Sequence, residues 1–141
     1  MFTRIVSMIS IATAAAAIAV PASSLAKAPS KPSCLLQTHR ITSVRPYRVE
    51  EQSGRSSVRR LQGAEVFVQA EAGLTAEWLQ LALMRHIIAM RGPTSMPDCA
   101  FDVDDVTVRV DPGGTGFLVR IMARDVSKAK EVLRRAQLLA S

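Results

Sequence analysis

From residue 64 to its end the sequence predicts an α+β domain, a two-layer sandwich with both helices on one face of a mostly antiparallel sheet. Three features predict it: a long apolar helix closed by Gly92-Pro93, two short strands around a glycine-rich turn, and a final amphipathic helix. In chain order these elements read β-α-β-β-α.

In residues 64–70, Val66 and Val68 alternate with Glu65 and Gln69, the period-two pattern of a half-buried strand. Thr75 is placed to cap the helix that follows, Glu77 complements the positive end of its dipole, and Leu74 can staple onto Leu79. This helix is expected to run to Arg91, where glycine and then proline stop it. Its inner stripe holds Leu79, Ala82, Leu83, His86, Ile87 and Met90, with Trp78 flanking the stripe and assigned to the core. Val106, Val108 and Val110 share one face of the next strand. Residues 111–116, Asp-Pro-Gly-Gly-Thr-Gly, form a turn, and the returning strand puts Phe117, Val119 and Ile121 on one face and Leu118, Arg120 and Met122 on the other. Asp125 or Ser127 caps the last helix, with Val126, Ala129, Val132, Leu133 and Ala136 inward and Lys128, Arg134 and Arg135 facing water.

This order resembles a ferredoxin-like, split β-α-β arrangement whose last strand is missing. One or two strands from the N-terminal third are expected to supply the missing edge. The resemblance is one of element order and carries no functional residues with it.

The chain has 141 residues and a formal charge of +6, which on its face suggests a nucleic-acid binder. Its distribution argues otherwise. After Arg4 the chain carries no charge until Lys27, and the apolar stretch from Ile5 to Val20 is closed by Pro21. This is the pattern of a cleaved secretory leader over residues 1–26, too short to span a bilayer, with Ser24-Leu25-Ala26 as the cleavage signal. Residues 27–62 then carry eight Lys and Arg against two Glu, whereas residues 63–141 carry nine basic and ten acidic groups. The basicity is thus confined to an N-terminal arm, 27–62, read as a linker to about residue 33 and two weak strands, 38–50 and 57–62, ahead of a compact domain at 63–141. Arg40, Arg45, Arg48, Arg55, Arg59 and Arg60 are the arm's candidate contacts to an anionic surface. Its single aromatic residue, Tyr47, is not enough for base stacking, and export makes nucleic acid a poor partner.

Cys34 and Cys99 are the only cysteines, and an even pair in an exported domain reads as a disulfide. A metal reading competes with it. His86 lies on the inner stripe with Met90 one turn later, and Met96 and Cys99 follow in the next loop; imidazole, thioether and thiolate donors together suit copper(I). The two readings exclude each other at Cys99. Asp102, Asp104 and Asp105 lack the glycine and distal glutamate of a calcium loop and read as solvated, and the turn at 113–116 lacks the lysine of a phosphate loop.

Leu81, Met84 and Ile88 form a second apolar stripe on the first helix, more apolar surface than one sheet face needs, and are the candidate partner surface. No nucleophile elbow, Cys-x-x-Cys pair or haem-attachment motif is present, which argues against an enzyme. The expected protein is therefore a periplasmic or secreted, non-catalytic accessory domain without a cofactor. It docks to an envelope protein or anionic surface or pairs as a homodimer, and keeps no membrane span after leader removal. Copper binding is the alternative, and an enzyme of undefined class the third reading.

Overall fold

Strands β1 (Ile41–Ser53) and β2 (Ser56–Gln69), helix α1 (Ala76–Met90), strands β3 (Thr107–Gly113) and β4 (Gly116–Met122) and helix α2 (Val126–Gln137) follow one another along the chain, flanked by 3-10 helices at Leu35–Thr38 and Leu138–Ala140. This is a computed structural model that describes residues 33–140; the expected leader, Lys27 and Lys31 lie outside the described residues. The strands make one antiparallel sheet in the order β1-β2-β4-β3. The α+β arrangement expected from the sequence is present, and an N-terminal strand forms the edge beside β2. No helix among the described residues is long and apolar enough to cross a membrane.

One face of the sheet carries the core. Ala64, Val66 and Val68 of β2 stand opposite Ile121, Val119 and Phe117 of β4, and all six are buried. Against them pack Leu79, Leu83 and Ile87 of α1 and Ala129, Val132 and Ala136 of α2. The loop from α1 to β3 adds Cys99, Ala100, Phe101 and Val106, and the first 3-10 helix adds Leu36, which is fully buried. Val126, expected to face inward, is instead 39% exposed, because it begins the helix beyond the sheet's reach.

Both helix caps form as the sequence implies. Thr75 Oγ1 accepts from the Trp78 amide at 3.2 Å, and Asp125 Oδ1 accepts from the amides of Ser127 at 2.7 Å and Lys128 at 3.2 Å. Helix α1 ends at Met90, with Arg91 as its C-cap.

The β1–β2 hairpin is longer than the pattern suggested, and position 63 falls inside β2 rather than at a boundary. Tyr47 pairs with Gly63 but Arg48 with Leu61, so Gln62 is the extra residue of a bulge. Gly63 there has φ 149°, and a Cβ on it would lie 1.9 Å from the carbonyl oxygen of Ile121. Only glycine lets β2 pass so close to β4 while bending. Beyond this point the β2–β4 ladder ends, and residues 48–61 pair with each other as a projecting hairpin. Its turn is Gly54-Arg55, with Gly54 at φ 63°, the glycine-first form that suits strand twist. Val58 is 56% exposed on this projection.

Candidate functional site

Three elements converge on the disulfide. Cys34 precedes the 3-10 helix, Cys99 sits in the loop after α1, and the two are bonded across 65 residues of sequence. His86, from the middle of α1, brings Nε2 to 3.5 Å from Cys99 Sγ, while the Leu35 amide donates to the same nitrogen at 3.5 Å. The ring meets Phe101 edge-on, with centroids 5.8 Å apart. Burial lowers the His86 pKa, since charging an imidazole against this apolar wall is costly.

Each sulfur is also positioned by bonds other than the disulfide. The Cys34 amide donates to Gln37 Oε1 at 3.2 Å, and its carbonyl accepts from the Gln37 amide at 2.9 Å. Around Cys99, Asp102 Oδ2 accepts from Ser95 Oγ and the Met96 amide, both at 2.8 Å. Arg135 of α2 donates through Nη1 to the carbonyls of Asp102 at 2.8 Å and Cys99 at 3.3 Å. Its side chain is only 16% exposed, so Arg135 is not the solvent-facing residue its helical position suggests. Helical periodicity gave no sign of a loop folded back over it.

The four residues of the sequence-derived copper set do not all meet here. Met96 and Cys99 line one cleft with Cys34. Met90 lines another, with Ile87, Phe101 and Val106. Among the described residues the donors that do come together are Cys34, Cys99 and His86, and the disulfide occupies both sulfurs. Asp102 is used within its loop, and Asp105 pairs with Lys128 at 3.1 Å.

The outer face of α1 is the second candidate. Leu81 and Met84 are each 49% exposed and Ile88 is 65% exposed, and Trp78 joins them at 52%. Trp78 is thus not core: its indole stands edge-on to His39, centroids 6.3 Å apart, at the rim of the helix. With Leu35, Arg85 and His86, Trp78 and Leu81 line a shallow apolar cleft. On its other flank α1 is anchored by Gln80, whose Oε1 accepts from the Val110 amide at 2.7 Å and whose Nε2 donates to the Val108 carbonyl at 3.0 Å. Gln80 therefore covers the free edge of β3, which blunts that edge as a template for strand addition.

Of the basic candidates, Arg40, Arg45, Arg48, Arg55 and Arg59 are exposed. Arg60 is engaged, pairing with Glu51 at 3.4 Å and donating to the Arg124 carbonyl. The sheet face opposite the helices is a paired network: Arg120 lies 3.1 Å from Glu65, 2.5 Å from Asp111 and 5.5 Å over the Tyr47 ring. The charge of Arg120 is thus already answered within the sheet.

Comparison of this chain with protein-family models, curated proteins and solved structures returned no match, and its function is read from these residues alone.

Proposed function

We propose that this protein is an exported, non-catalytic accessory domain that docks to an envelope protein through the outer face of α1. The observation that carries the reading is the exposure of Trp78, Leu81, Met84 and Ile88 on one helix. A contiguous set of large apolar side chains with a tryptophan at its rim is the composition of an interface centre. Arg85 borders the cleft there, so the fitting partner surface is apolar with an acidic rim. The exposed arginines of the hairpin and Arg40 suit long-range steering toward such a partner. The Cys34–Cys99 disulfide supports residence in an oxidising compartment, periplasmic or extracellular, in line with the leader pattern of residues 1–26.

The test uses Met84→Asp and Ile88→Asp in the full chain. Because Met84 is 49% and Ile88 65% exposed, the variants are expected to keep the wild-type circular dichroism and lose partner capture by in-cell cross-linking. The captured protein, once identified and purified, should bind the wild type at least tenfold more tightly than either variant. Equal binding, or adducts with a second copy of the chain alone, would overturn the docking reading.

A further inference from the structure

We propose that the Cys34, Cys99 and His86 cluster is a copper(I) site of the reduced chain, so that a bound soft cation and the disulfide are alternative states of one place in the fold. The inference is independent of the docking reading, which rests on the outer face of α1.

The geometry supplies the argument. The two sulfurs and a ring nitrogen all lie within 4.8 Å of one another. In a three-coordinate site with bonds of roughly 2.0–2.3 Å, donors sit about 3.5–4 Å apart. Cys99 Sγ and His86 Nε2, at 3.5 Å, are already at that spacing. The two sulfurs, bonded in the disulfide, must part, and rotation of their own side chains can separate them. The backbones that carry them need not move, because Gln37 holds the Cys34 backbone while Arg135 and Asp102 hold the Cys99 loop.

The donors are also in the right state. The Leu35 amide donates to His86 Nε2, so the ring proton is assigned to Nδ1, and a cation bound at Nε2 takes that lone pair from the amide. Cys34 and Cys99 are 3% and 1% exposed, in surroundings that shield a bound cation from water.

The donor set selects the cation. Zinc would need a water as fourth ligand beside these three donors, and the buried cysteines disfavour one. Two thiolates and one imidazole satisfy copper(I), which accepts three ligands and prefers soft sulfur. In the binding step two thiols lose two protons, and one copper(I) bonds both sulfurs and Nε2 with no change of oxidation state. Every newly made chain has its cysteines reduced, so the site is open until the sulfurs pair. Once Cys34 and Cys99 are joined, neither sulfur carries thiolate charge and the cation has lost two of its three ligands.

The experiment titrates the full chain with copper(I) anaerobically, using bicinchoninate as the competing chelator. The wild type is compared after phosphine reduction and as the disulfide, with circular dichroism recorded throughout. The reduced chain is expected to take one copper(I) while folded, and the disulfide form to bind at least a hundredfold more weakly. His86→Gln, which keeps both thiols, should weaken binding by tenfold or more, the usual cost of losing a ligand-sphere group. One equivalent of copper(I) should also slow closure of the disulfide by oxidised glutathione, read by intact mass. No copper(I) uptake by the reduced chain overturns the proposal. So does equal affinity of wild type and His86→Gln, or binding that appears only when the reduced chain has unfolded, since either outcome would mark nonspecific dithiol chelation.

Discussion

Arg135 of α2 donates to the carbonyl of Asp102 at 2.8 Å and so ties the last helix to the loop that presents Cys99. The same guanidinium reaches the Cys99 carbonyl and pairs through Nε with Glu131 at 2.7 Å. One largely covered cation thus satisfies the Asp102 carbonyl and adds a second bond to the Cys99 carbonyl, which also accepts from the Asp102 amide at 3.0 Å. Arg135→Met should therefore cost about 1.5–3 kcal/mol, the range for hydrogen bonds to a charged group, and raise amide exchange across residues 99–102. Urea denaturation and exchange mass spectrometry check both; an unchanged unfolding midpoint would show that the loop holds itself.

Cross-linking Cys34 to Cys99 closes a 65-residue separation, and chain entropy assigns such a bridge about 4 kcal/mol. The Cys34→Ser, Cys99→Ser double variant is expected to lose up to that amount, with the first 3-10 helix releasing first because Leu36 is then its one buried anchor. Chemical denaturation of the two forms is the measurement.

Gly63→Ala tests the bulge. Its Cβ would meet the Ile121 carbonyl oxygen at 1.9 Å, and φ 149° is unfavourable for alanine, so the β2–β4 ladder must open. A loss of more than about 2 kcal/mol is expected. The same substitution at Gly54, where a Cβ meets nothing within 4 Å, should cost less, through its positive φ alone.

His86 and Glu131 each contribute to the pH dependence. The folded-state pKa of His86 lies below its ordinary value of 6.5 because burial opposes the charge. The unfolded chain therefore takes up a proton that the folded chain resists, and stability falls as pH drops below about 6.5. His86→Gln should flatten that limb of a stability-against-pH curve. Arg134 and Arg135 pull the Glu131 carboxyl down to about 2. Its contribution is complete above the ordinary carboxylate range and is lost as pH falls toward 2, a modest effect for a solvent-exposed group. Glu131→Gln should reduce acid sensitivity in that lower window only.

Periodicity exposed most of this fold and little of its site. The stripe of α1 and the alternation in β2 and β4 follow directly from burial on one side of a regular element, and Thr75 and Asp125 cap where their spacing implies. Phe101 and Leu36, both fully or nearly fully buried, lie in irregular segments where no period marks an inward residue. Trp78 was misplaced because a helical wheel gives an angle but not the position of the neighbouring layer, and its indole meets His39 at the helix rim. For the same reason a wheel gives no sign that Gln80 reaches the backbone of β3. The pairing of Cys34 with Cys99 was legible from their number, but its closeness to His86 depends on how a loop without periodicity folds back.

The most direct test of the docking account is photo-crosslinking from position 88 in the exported protein, with Lys130 on the exposed side of α2 as the control site. The account expects a discrete adduct from position 88, absent from Lys130 and abolished by Met84→Asp, with an envelope protein whose purified form binds the wild-type chain. Equal adduct yields from both positions, or none from position 88, would contradict it.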